Sequence, residues 1–150
     1  MPSYLRCLPL IGPSVLSFVF PLSLSAQRVT IKGASPTDVV VAIQNRLDSQ
    51  SFKLADSSKK QALFRLDRGM VSQTAANGMP MSVHVTLELH LRYKQKTDSL
   101  QVDASEEVVG ETGSRTMDFR KPVQTPAERE TMQRLLDEVK AELETRRADP

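Results

Sequence analysis

The stretch Val83-His-Val-Thr-Leu-Glu-Leu-His-Leu-Arg-Tyr93 decides the architecture. Val83, Val85, Leu87, Leu89, Leu91 and Tyr93 fall on one face, and His84, Thr86, Glu88, His90 and Arg92 on the other. Six successive matches to a two-residue period specify a strand with one apolar, buried face and one polar, wet face, the pattern of an antiparallel sheet. At about 3.3 Å per residue the run spans about 36 Å, long for a small domain.

Working outward, shorter strands are expected at Arg28–Ile31, Phe52–Leu54, Ala62–Leu66 (extending toward Val71) and Leu100–Val109. In the last of these Leu100, Val102 and Ala104 alternate, and Glu106 then stands where an apolar residue is due. That break signals a bulge or the end of the covered region. Asn77-Gly78 and Lys96–Ser99 mark hairpin connections, and a polar connection starts at Gly110 and runs to Thr125.

Two helices flank the strands. Ser35-Pro36-Thr37-Asp38 and Thr125-Pro126-Ala127-Glu128 share a hydroxyl N-cap, a proline at the first helical position and a carboxylate at the third. Val39, Val40, Ile43 and Leu47 follow the first signal at helical spacing, to about Ser49; Met132, Leu135, Leu136, Val139 and Leu143 follow the second. The order β-α-β-β-β-β-α predicts an α+β fold, an antiparallel sheet of four to five strands with both helices on one face.

The first 26 residues are of a different kind. Met1–Ala26 holds no acidic residue and one basic residue, Arg6, followed by a Pro-interrupted apolar run and the small residues Ser23-Leu-Ser-Ala26. This pattern predicts a cleavable signal peptide over 1–26, a single domain over 27–150, and a periplasmic or secreted location. The apolar run is shorter than the ~20 residues a bilayer span requires, so no transmembrane helix is expected after cleavage. The single cysteine, Cys7, leaves with that segment, so the domain itself is expected to carry no disulfide. All 18 acidic residues and all but one of the 20 Lys/Arg lie beyond Ala26. The domain is therefore nearly neutral, which gives no reason to expect a nucleic-acid partner.

Chemistry-bearing patterns are sparse. His84, Glu88 and His90 invite a metal reading, but six residues along a strand separate the two histidines by about 20 Å, too far for one ion. Glu88 stands about 7 Å from His90, which would serve a metal only if another strand added ligands. No catalytic, cofactor-binding or metal residues are assigned on this basis, and no cofactor is expected. Gly113-Ser114-Arg115 lacks the second glycine of a nucleophile elbow, and Gly110 and Gly113 form no phosphate loop. Aromatics make up 5% of the chain with no tryptophan, which leaves few stacking platforms for bases or sugars.

The helix ending Ile43-Gln-Asn-Arg-Leu47, the segment Phe52-Lys-Leu54, the long alternating strands and the terminal amphipathic helix resemble envelope proteins of the LPS-assembly lipoprotein type (LptE-like). More loosely they are similar to the N-terminal α/β domain of TolB-like proteins. The first resemblance implies a partner in an outer-membrane β-barrel and contact with lipopolysaccharide. The lipidated cysteine of that family has no counterpart at the expected mature N-terminus, and no dense basic patch stands out. The expected function is a non-catalytic interaction or assembly module of the bacterial cell envelope with a protein partner. The alternative is a soluble periplasmic ligand-binding or hydrolytic domain.

Overall fold

The computed structural model describes residues 26–75, 77–113, 118–123 and 125–148. The expected leader, apart from Ala26, lies outside the described residues. The elements run β1 (Gln27–Lys32), α1 (Pro36–Leu47), β2 (Lys53–Ser57), β3 (Gln61–Thr74), β4 (Pro80–Gln95), β5 (Ser99–Glu111), β6 (Phe119–Pro122) and α2 (Pro126–Ala148). The fold is α+β, with an antiparallel sheet ordered β1-β5-β4-β3-β2 and both helices packed on its apolar side. The short strand β6 pairs with β5 beyond the stretch that β1 occupies. It lies inside the connection expected to be a polar loop. Phe119-Arg-Lys-Pro122 has no alternating apolar signal, and its strand geometry comes from pairing with Glu107–Gly110.

Local chemistry explains the helix starts. Ser35 Oγ accepts the Asp38 backbone N–H at 3.2 Å while the Asp38 carboxylate accepts the Ser35 N–H at 2.9 Å. Thr125 and Glu128 repeat this reciprocal arrangement at the head of α2, at 3.3 and 3.2 Å. Each box satisfies N–H groups that the first helical turn leaves without partners. The first helix ends at Leu47 in a short 3-10 turn, Asp48–Gln50, slightly earlier than the sequence pattern suggested.

The strand β4 keeps its alternation through the sheet. Leu89 and Leu91 are fully buried and Tyr93 is buried with them, beside Ala62 and Phe64 on β3 and Leu100, Val102 and Ala104 on β5. Val39, Ile43, Leu136 and Val139 close over these residues from the two helices. Burial of a large aliphatic side chain contributes about 1.5–3 kcal/mol, so this layer supplies most of the driving force for folding.

The cover is interrupted along the strand, where Val85 and Leu87 are only partly buried between the fully buried Val83 and Leu89. Leu87, expected in the core, is only half-buried, as are Leu66 and Val108 in the same cross-strand row. Glu106 sits opposite Leu89, at the last fully covered row. The β4–β5 register runs without a shift from Leu100 to Glu111, so Glu106 marks the end of the cover and not a bulge. The irregularity falls instead in β3, between Asp67 and Gly69, where Arg68 is the extra residue and Gly69 takes φ +75°. Asp67 accepts the Gly69 N–H at 2.7 Å and fixes this bend.

Candidate functional site

Where the helices stop, the apolar face becomes the floor of a groove of about 900 Å³. Leu66, Val85, Leu87 and Val108 line it from the sheet, Phe52 from the segment after α1, and Met132 and Leu135 from α2. Its wall combines an apolar lining with charged groups. Glu106 projects into it, with Arg68 and Glu128 also in its wall. Burial pushes the Glu106 carboxyl above the ordinary glutamate value, the Glu128 carboxylate pushes the same way, and Arg68 opposes them. A carboxyl in such a setting hydrogen-bonds or neutralises a polar group on an otherwise apolar ligand.

The backbone beside the groove has an edge. The strand β2 pairs with Ala62–Arg65, and among the described residues β3 from Leu66 to Thr74 is paired on its β4 side alone. Met70 and Val71 are exposed on this stretch, and Met79 is exposed at the turn leading to β4. An edge of this kind offers a row of backbone donors and acceptors to an incoming strand.

The opposite face of the sheet carries the second constellation. The sequence places His84, Glu88 and His90 on a wet face, and the structure corrects that for Glu88, which is 3% exposed. Arg65 Nε donates to Glu88 Oε1 at 2.8 Å from β3, and Arg120 Nη1 donates to Glu88 Oε2 at 2.7 Å from β6. Burial alone would push the Glu88 carboxyl up. The hydrogen bonds and charges of Arg120 and Arg65 outweigh it and hold the group below its ordinary value. His84 stands apart, its Nε2 2.8 Å from Asp67.

His90 is drawn into the Glu88 cluster. Its Nε2 lies 3.2 Å from Glu88 Oε2 and 3.8 Å from Glu107 Oε2. Glu107 is the β5 residue directly opposite Glu88. The condition that the sequence sets for a metal beside His90, a ligand from another strand, is thus met. Glu107 escaped the sequence reading because nothing local ties it to Glu88; only the β4–β5 register does. The groove left one local trace, the acidic residue at position 106 in an otherwise apolar alternation.

Among the described residues no helix is long and apolar enough to cross a membrane. No family model, curated protein or solved structure matches the chain.

Proposed function

We propose that the chain is an exported, non-catalytic interaction module of the bacterial cell envelope that receives an extended apolar segment of an envelope protein in the groove. One observation carries this reading: the apolar alternation of β4 continues past the helices, so Val85 and Leu87 line an open groove beside an edge of β3 that is unpaired among the described residues. An extended segment adding to that edge would gain main-chain hydrogen bonds and place alternate side chains on the apolar floor. A strand of an outer-membrane barrel, apolar at every second position, has the required chemistry. The signal-like start at Met1–Ala26 supports a periplasmic or secreted location, and the LPS-assembly resemblance supports the envelope context.

A second reading takes the groove as the site of a small amphipathic ligand in a soluble periplasmic domain, and the Glu106 carboxyl favours it. Photo-crosslinking in intact native cells separates the two. A photoreactive side chain at position 87 should give a discrete protein adduct, while one at position 134 on the exposed side of α2 gives none. Adducts of small-molecule size alone would support the second reading. Absence of any adduct at position 87 would overturn both.

A further inference from the structure

We infer that Glu88, His90 and Glu107 form a binding site for a zinc-type divalent ion, and that the Arg120 guanidinium holds the cation position until the metal displaces it. The spacing fits the ion. Ligands about 2.1 Å from a tetrahedral zinc lie about 3.4 Å from one another. The His90 Nε2 separations of 3.2 and 3.8 Å from the two carboxylate oxygens bracket that value. All three ligand atoms lie within 4.8 Å of one another.

The ligand atoms are also prepared for the role. His90 Nε2 is closed off from solvent and makes no hydrogen bond among the described residues, although carboxylate oxygens flank it. A ring nitrogen facing two anionic oxygens is satisfied either by its own proton or by a cation shared with them, and the neutral ring with its lone pair turned inward is a metal ligand. Arg65 engages Glu88 through Oε1, which leaves Oε2 as the ligand oxygen and fixes the carboxylate plane. A partner that orients a coordinating carboxylate in this way is a regular feature of metal centres.

Arg120 marks where the cation belongs. Its Nη1 lies 2.7 Å from Glu88 Oε2 and 3.3 Å from Glu107 Oε2, the two carboxylate oxygens the metal would take. It comes from the four-residue strand β6, whose strand pairing is with β5, and is itself more than half exposed. A divalent ion therefore competes with a side chain that has open solvent to move into once its charge is replaced. Metal binding would exchange this cation and release one tether of β6.

Tag-free protein should be titrated with Zn²⁺ by calorimetry and with Co²⁺ by visible absorption. One equivalent should bind, with the d–d bands of four-coordinate cobalt. His90→Ala and Glu107→Gln should each weaken binding at least about tenfold. Arg120→Ala should tighten it, because the resident cation is gone; Arg120→Met serves if the alanine variant does not fold by circular dichroism. No saturable binding in either the parent or the folded Arg120 variant overturns the proposal. So does binding that His90→Ala leaves unchanged, or a folded Arg120 variant that binds no tighter than the parent.

Discussion

Arg120 on β6 and Glu88 on β4 meet at 2.7 Å across the intervening strand β5, and this contact joins the weakest strand of the sheet to its centre. Four residues of pairing with β5 would hold β6 loosely. The guanidinium adds a charge-assisted bond to a carboxylate that is almost fully buried, where such bonds are stronger than in water. At the middle of β4 the polar face of the sheet is therefore a cluster of cross-strand ion pairs centred on Glu88.

Glu88→Gln should cost about 1.5–3 kcal/mol at pH 7, the range for a lost hydrogen bond to a charged group. The Glu88 carboxyl titrates lower in the folded chain than in the unfolded one. Its contribution is accordingly present above the ordinary glutamate value of about 4.3 and is lost as pH falls through the lower, folded value. Urea unfolding at neutral and strongly acidic pH should show a gap between parent and variant that closes in acid. A gap of the same size at both would show that Glu88 acts through shape and not through charge.

Glu106 should behave in the opposite sense. Its carboxyl titrates higher when folded, because burial and the Glu128 carboxylate disfavour the charged form. The charge therefore destabilises the fold as pH rises from the unfolded value through the folded one, and the penalty is complete above it. Glu106→Gln should raise the denaturation midpoint at pH 7 and leave it unchanged below the ordinary glutamate range. A variant less stable than the parent at pH 7 would mean that Glu106 serves the fold instead of the groove.

Much of this architecture is written locally. The period-two run from Val83 to Tyr93 and the two capping boxes need only neighbouring residues to be recognised, and the structure reproduces them. The burial of Glu88 is not local. Its partners Arg65 and Arg120 stand 23 and 32 residues away in sequence, and alternation assigns a side chain to a face without saying what lies over that face. Leu87 shows the same limit from the other side. It shares the apolar pattern with Leu89, yet α2 and the segment after α1 cover only the row that Leu89 occupies. The strand β6 was hidden for a third reason: its charged, proline-ended sequence becomes a strand only because β5 offers it a partner.

Tyr93→Phe should stabilise the protein. The Tyr93 hydroxyl is buried and has no hydrogen-bond partner among the described residues, and burial raises the phenol's pKa. Leaving a buried polar group without a partner costs about 1–3 kcal/mol, and the phenylalanine keeps the ring in place. A gain of about 1 kcal/mol in thermal or urea unfolding is expected. A loss would indicate that the hydroxyl is satisfied in solution.

The row boundary in β4 gives a paired test. Leu89 is fully buried, and Leu89→Ala should cost about 2–5 kcal/mol. Leu87→Ala, at the half-open groove, should cost visibly less, since the side chain already meets solvent on one side. Equal losses at the two positions would mean that the groove is closed over in solution.

The last prediction concerns α2, whose amphipathic stripe raises the choice between a core element and an arm for a partner. Met132, Leu136, Val139 and Leu143 are buried in the same cluster as the sheet and α1, and α2 lies along β1 and α1. Polar contacts pin the helix at its far end. The Lys32 N–H donates to Glu144 at 3.2 Å, and Arg46 on α1 forms an ion pair with Glu142. An isolated helix of this length is marginal in water, so its stability comes from this docking. Leu136 is fully buried, and Leu136→Ala should cost about 2–5 kcal/mol in urea unfolding. Deleting residues 125–150 should expose the apolar face of β1, β4 and β5 together and leave an unfolded, poorly soluble remainder. Circular dichroism and size-exclusion chromatography read this directly. A truncated chain that stays folded and monomeric, with Leu136→Ala near neutral in the full chain, would show that α2 is dispensable to the core and serves a partner instead.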